Sequence, residues 1–281
     1  MRRVSAVLAA LVVSAGCGPS AHPAAGPSPT LASTSPAVAT PTPTRSPVAT
    51  HSPTPTAKPT LTTHPSSRPA PTHTATAASG SPVDRLVGVG DATQVVSVIA
   101  SGYGSTYATV TAYRKTSSGW RTSLGPWTAR IGRNGFAPPG QKREGDGRTP
   151  TGSYGFSFFF GVDPAPSGIR YSWRHAYTYD VWDDDPSSAR YNEWVDTRYA
   201  DAGRDPEPMH QVPSYDAAAV IAYNTARTPG LGSAIFFHVS HGSATAGCVS
   251  VPYGDVVALL RWLDPKHSPR IIMGTRSAVT R

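Results

Sequence analysis

Between Gly18 and Pro82 the chain carries 15 of its 29 prolines and no acidic residue. Pro, Thr, Ser and Ala dominate, in runs such as Pro41-Thr42-Pro43-Thr44 and Pro53-Thr54-Pro55-Thr56. With almost nothing large and apolar to bury, such a segment cannot offset the entropy of ordering it. The expectation is a disordered linker over 18–82, so any packed core has to come from residues 83–281. As polyproline II the linker would reach roughly 200 Å, and as a flexible coil about 45 Å. Charge follows the same division. All 17 Asp and Glu lie from Asp84 onward, whereas Arg2, Arg3, Arg45, Lys58 and Arg68 precede them, so the formal charge of +8 is mostly N-terminal. The region able to fold is close to balanced, which gives no support to a nucleic-acid partner. No apolar run reaches the roughly 18 residues of a membrane span.

Residues 1–17 read as an export signal. Arg2 and Arg3 give a positive start, Val4 to Val13 is apolar except for Ser5, and Ser14-Ala15-Gly16-Cys17 follows. That run is too short to cross a bilayer and suits a signal-peptide core. The small residues before Cys17 resemble a bacterial lipobox, although Ser14 stands where Leu, Val, Ile or Ala is usual. The resemblance implies a membrane anchor, a diacylated Cys17, and two acyl chains suffice for stable attachment. The expected location is the outer face of the cytoplasmic membrane or the cell wall. Cys248 is the other cysteine. With Cys17 acylated or removed, no intramolecular disulfide is available and stability has to come from a conventional core.

The expected fold class is mainly β with a few helices. Val95 to Ala100 is nearly all apolar, and Ala108 to Tyr113 alternates with a period of two. Trp120 to Ile131 reads as a pair of short strands interrupted by Gly125-Pro126, and Ala234 to Val239 as another strand. One helix is expected around Ser214 to Tyr223, where a strand is the alternative. A second is expected from Pro252 to Leu263, with Val256, Leu259, Leu260 and Leu263 on one face and Asp264-Pro265 ending it. Asp163 to Pro213, rich in Trp, Tyr, Asp and Arg with weak periodicity, reads as long loops over a β core.

The chemistry concentrates in Phe236-Phe237-His238-Val239-Ser240-His241-Gly242-Ser243-Ala244-Thr245-Ala246-Gly247-Cys248. A thiol becomes a useful nucleophile when a histidine takes its proton and nearby dipoles favour the thiolate. His238 and His241 precede Cys248 closely, with Gly242 and Gly247 letting the chain fold back. Gly247 also permits close approach of a substrate backbone. Amides around Cys248 are candidates for an oxyanion hole.

At these residues the chain resembles the L,D-transpeptidase catalytic domain, the YkuD-like cysteine enzymes of peptidoglycan. His238 fits the family's first histidine, and Thr245, Gly247 and Cys248 fit its terminal Ser/Thr-His-Gly-Cys motif. Upstream, Lys142-Arg143-Glu144-Gly145-Asp146-Gly147-Arg148-Thr149-Pro150-Thr151-Gly152 resembles the family's Lys-Arg-Glu-Gly-Asp-Gly-x-Thr-Pro-x-Gly segment. The resemblance spans roughly Thr128 to Gly274. It departs in two ways: Ala246 replaces the motif's second histidine, and the loop between His238 and Cys248 is short. A branch of exported relatives with Thr-Ala-Gly-Cys shares the first departure.

The resemblance implies a β-sandwich catalytic domain over 83–281 acting on peptidoglycan stem peptides. Cys248 would be the nucleophile and His238 its base, with Gly247 and Thr245 in the oxyanion and active-site loop and His241 as an alternative base. The product would be a 3→3 cross-link with release of D-Ala. Water as acceptor would make the same site an L,D-carboxypeptidase. Carbapenem-type β-lactams are the implied inhibitors. No metal or organic cofactor is implied, because a thioester keeps the acyl group activated.

Other residues support weaker readings. Arg143, Glu144 and Arg148 either contact stem-peptide charges or form turn-flanking salt bridges. His210 either lines the cleft or is structural, and Trp182, Trp194 and Trp262 either pack on sugars or fill the core. Asp183-Asp184-Asp185 reads as a solvated turn. Ser233 and Ser250 are candidates for orienting His238, as is a backbone carbonyl. Two rivals come from other classes. One is a zinc hydrolase using His238, His241 and Cys248, which lacks the Glu of the zinc-protease helix motif. The other is a catalytically silent wall-binding lipoprotein.

Overall fold

The structure, a computed structural model, describes residues 81–281. The expected signal segment, Cys17 and the expected linker as far as Gly80 lie outside the described residues. Ser81 opens the described chain by capping a 3-10 turn at Pro82–Arg85, in a reciprocal capping box with Asp84.

Five strands come first: β1 Gln94–Ala100, β2 Tyr107–Thr116, β3 Gly119–Arg130, β4 Phe136–Ala137 and β5 Thr149–Pro150. Next are β6 Gly152–Tyr154, β7 Phe156–Gly161, β8 Trp173–His175, β9 Asp180–Asp183, β10 Glu193–Asp196 and β11 Glu207–Pro208. β12 Ala218–Ile221, β13 Phe236–Val239 and β14 Val249–Val251 precede helix α1 Tyr253–Trp262. Strand β15 Arg270–Thr275 and helix α2 Arg276–Val279 end the chain. The mainly β class expected from the sequence is observed. The sandwich takes the form of one curled ten-stranded sheet, ordered β6-β15-β1-β2-β3-β14-β13-β12-β7-β8, with smaller sheets β10-β9-β11 and β4-β5 beside it.

Strands β12 and β13 are buried on both faces, and strand alternation there sorts side chains between two cores. In β12, Ala219 and Ile221 enter the main core while Ala218 and Val220 enter a second, aromatic cluster. In β13, Phe237 and Val239 face the main core, whereas Phe236 joins Phe160, Trp182, Tyr215 and Cys248 in the second. Residues two apart share a face, so this alternation places His238 on the same side as Phe236 and Cys248. Helix α1 closes the main core with Val256, Leu259 and Leu260 fully buried, and Leu263 beyond its end is buried too. Its end is fixed by Gln94, whose amide donates to the Trp262 carbonyl at 2.7 Å and accepts from Asp264 N at 2.9 Å.

Three expectations need correction. The 120–131 stretch holds one long strand, β3 Gly119–Arg130, not two. The β2–β3 ladder absorbs Gly125-Pro126 as a register shift near Val110 and Ala112. Gly125 has φ +80°, and a Cβ there would sit 2.6 Å from the Val110 carbonyl oxygen, so the irregularity requires glycine. Residues 218–221 form a strand, because Ala-Ala-Val-Ile is buried on both faces between β7 and β13 and has no polar side to give a helix. The 163–213 region is not only loops. It builds β8 to β11, and its Asp triplet is no solvated turn: Asp183 is fully buried and accepts from Asp185 N, Gly203 N and the Ser188 hydroxyl.

Candidate active site

The site is set by two neighbouring strands. β13 and β14 run parallel with Phe237 opposite Val249 and His238 opposite Ser250. Cys248, one residue before β14, therefore lies beside Phe236, and His238 lies two residues further along, roughly 6–7 Å by strand rise. The return loop, 240–248, is short for a parallel connection. It is held against the end of β3: Thr245 N donates to the Ile131 carbonyl at 2.9 Å, and Arg133 N donates to the Thr245 carbonyl at 2.8 Å.

A cleft of about 330 Å³ opens between this loop, the 142–145 segment and the 207–215 segment. Cys248, His238, Gly247, Thr245 and His241 all line it, so the five residues singled out in the sequence come together. His210 does not line it and is exposed. Ala246 is exposed at the rim, and His241 is exposed on the loop.

His238 is buried, with Tyr215 edge-on at 5.4 Å. Its Nδ1 lies 2.9 Å from the Val239 carbonyl, an acceptor, so Nδ1 carries the proton and Nε2 holds the basic lone pair. A backbone carbonyl thus orients the ring. Ser233 is engaged elsewhere, donating to Glu144 at 2.7 Å. Burial lowers the imidazole to about 4, against the opposing pull of the Val239 and Ser214 backbone bonds.

The Cys248 thiol is buried as well, donating to the Ala234 carbonyl at 3.2 Å and accepting from Phe236 N at 3.3 Å. Burial first, and then Glu207, push it well above the ordinary thiol range, while Phe236 N and Lys142 oppose. Burial therefore disfavours the charged form of both partners, opposite to what a preformed thiolate–imidazolium pair requires.

The upstream motif is what holds the nucleophile. Thr149, fully buried, accepts from Gly132 N at 2.9 Å and donates to the Cys248 carbonyl at 3.3 Å. Thr245 donates to the same carbonyl at 2.7 Å and accepts from Gly247 N at 3.2 Å. Asp146 ties its loop together through Lys142 Nζ, Arg143 N and Arg148 N at 2.7 to 2.8 Å. Gly247 is glycine because the two motifs touch there. A Cβ would meet the Arg148 carbonyl oxygen at 3.0 Å and Ile235 Cδ1 at 3.2 Å. Of the charged motif residues, Arg143 and Arg148 donate to backbone carbonyls, and Glu144 accepts from Tyr191 and Ser233. Among the described residues, no group of three or more His, Cys, Asp and Glu side chains has metal-holding geometry.

Over residues 104–273 the sequence matches the family model of the YkuD L,D-transpeptidase catalytic domain. The chain belongs to that family. No curated protein and no solved structure is detectably similar to it. L,D-transpeptidase-family enzymes act on peptidoglycan as acyltransferases and are generally inhibited by carbapenems.

Sequence reasoning missed Glu207 and Tyr215 in this family member's cleft, and read Asp184, which also lines it, as part of a solvated turn. Tyr215 donates to Glu207, whose carboxyl is pushed up to about 7 mainly by burial. Asp184 is pushed up to about 6, by burial and then by Glu144. Nothing in the weakly periodic 163–213 stretch marks Glu207, and Tyr215 falls in the run expected to be helical; the tertiary fold brings both to the cleft that holds the thiol.

Proposed function

We propose that this chain is a peptidoglycan L,D-transpeptidase that forms 3→3 cross-links through a thioester on Cys248. The observation that carries the reading is one cleft lined by both Cys248 and His238, with the His238 Nδ1 committed to the Val239 carbonyl. The thiol exchanges the Ala234 carbonyl for Nε2, gives up its proton there, and Sγ attacks the carbonyl of the stem's third residue. The Cys248 amide stabilises the oxyanion. Gly247 N contributes less, being already turned to Thr245. As the carbon–nitrogen bond breaks, His238 returns the proton to the departing D-Ala. A side-chain amine of a second stem then attacks the thioester, and its proton passes through His238 to the leaving sulfur.

Three carboxylates in the cleft, Glu144, Asp184 and Glu207, favour an amine over water as acceptor by attracting it as ammonium. Glu207, whose proton affinity burial raises, can take the proton that the amine has to lose. Export, with a diacyl anchor at Cys17 and residues 18–82 as tether, places the domain at the wall, where its substrate lies.

The test is intact-protein mass spectrometry of the chain and its Cys248→Ala variant, each incubated with a disaccharide-tetrapeptide or a carbapenem, with D-Ala release followed. An adduct on the wild type alone, with D-Ala released and a cross-linked dimer formed, is the expected result. Tripeptide without dimer assigns the L,D-carboxypeptidase instead. No adduct and no D-Ala from folded protein leaves the silent wall-binding lipoprotein.

A further inference from the structure

The described surface holds a band of aromatic rings and arginines that the cysteine chemistry does not use. Next to the catalytic cleft, and sharing Ile235 with it, is a second hollow of about 400 Å³ walled by Phe158, Trp182, Trp194 and Tyr223. A third hollow of about 350 Å³, walled by His175, Tyr177 and Tyr179, continues from it through the shared Arg174 and Trp194. Both volumes fall within the roughly 300–1,000 Å³ typical of small-ligand sites. The rings are not all core: Tyr177 is 47 % and Tyr199 81 % exposed, and Phe158 and Trp194 are half-buried. Leaving such rings in water is unfavourable unless something covers them.

Their arrangement narrows the ligand. Tyr177 and Tyr179 lie stacked at 5.0 Å, and the Arg198 guanidinium sits 3.5 Å over Tyr179 and 5.0 Å from Tyr199. Arg174 stands 5.0 Å from both Phe158 and Trp194. The two guanidiniums thus lie over ring faces, and the exposed ring surface is mainly that of Tyr177 and Tyr199; apolar rings with guanidinium donors beside them match ligands having apolar C–H faces and rims of hydroxyls. A polyanion fits less well. Arg198 is paired with Asp196 at 2.7 Å and Arg227 with Glu193, so the band offers little net positive charge to phosphates.

We propose that this band is a carbohydrate-binding track that holds the β-linked amino-sugar strand carrying the stem peptide, while the stem enters the cleft beside Ile235. This rests on the peptidoglycan reading above and adds to it a second recognition element. Trp182 does not take part directly. It is buried, with Nε1 donating to Asn192 at 2.9 Å, and supports the hollow from beneath.

The experiment has two arms that fail independently. First, the full chain carrying Cys248→Ala is titrated with N-acetylglucosamine tetramer and with stem-free glycan strands, followed by tryptophan fluorescence and calorimetry. Saturable binding is expected, weakened about tenfold by Tyr177→Ala with Tyr199→Ala, two exposed positions, with circular dichroism checking that the double variant stays folded. Second, thioester formation is measured in the Cys248-intact chain with disaccharide-tetrapeptide and with free tetrapeptide. The double variant is expected to raise KM about tenfold for the sugar-bearing substrate alone. No saturable binding of the glycans, or equal losses with both substrates, overturns the proposal. So does binding that a phosphate polymer reproduces and that disappears between about 50 and 200 mM salt. If neither substrate forms a thioester, the enzyme reading fails while the titration still decides the track.

Discussion

Replacing Thr149 by valine tests whether the upstream motif works by holding the nucleophile. Valine keeps the shape of a fully buried side chain and removes its oxygen. Two bonds go with it: the acceptor for Gly132 N at 2.9 Å and the donor to the Cys248 carbonyl at 3.3 Å. The first loss leaves a buried N–H unpaired, which costs about 1–3 kcal/mol. The second is longer, and Thr245 still serves that carbonyl at 2.7 Å, so it adds only about 0.5 kcal/mol. For a domain of this size each kcal/mol is worth about 2–4 °C, giving an expected fall of about 3–14 °C. Thr149→Ser keeps both bonds and loses only a methyl group, so it should recover most of that fall. The assay is thermal unfolding by circular dichroism, run beside carbapenem acylation followed by intact mass. A valine variant melting within about 1 °C of wild type would refute the argument. So would a serine variant as unstable as the valine one.

Further outcomes follow from the same geometry. The acid limb of carbapenem acylation should lie near 4, where the buried His238 titrates, instead of at the ordinary histidine value, and a limb at or above pH 6 measured by stopped flow would contradict that effect of burial. His238→Gln should abolish acylation, whereas His241→Ala, altering an exposed loop residue, should leave it within about threefold; the reverse ordering would make His241 the base. Glu207 has a raised pKa, so its contribution to stability is complete below the ordinary carboxylate value and is lost as pH rises through about 7. Glu207→Gln should therefore melt higher than wild type at alkaline pH and lose that advantage in acid, as a melting series across pH would show. Gly247→Ala should push Cys248 away from the Arg148 carbonyl and slow acylation about 100-fold with only a few degrees lost in melting.

Much of the site was legible because its chemistry is local in the chain. His238 ends an apolar strand, Cys248 follows a glycine ten residues later, and the Lys142 to Gly152 segment carries its own turn residues. Helix α1 was equally legible, since its 3.6-residue apolar spacing has no strand reading. Residues 218–221 were ambiguous for the opposite reason: a short run apolar at every position has no period, and only β7 and β13 on either side make it a strand.

The sequence alone determined that residues 18–82 lack the apolar surface for a core, that the rest folds as mainly β, and that a thiol and a histidine stand close enough in the chain to work together. Tertiary structure decided the rest. It joined Thr149 to a carbonyl 99 residues away and turned a charged-looking motif into a clamp. It also set Glu207 and Tyr215 in the cleft with the thiol and carried Phe158, Tyr177, Tyr179 and Trp194 to the hollows beside it. These outcomes depend on which strands pair and which face of each is covered. No stretch of neighbouring residues encodes that, because contacts between distant segments exist only once the sheet has closed.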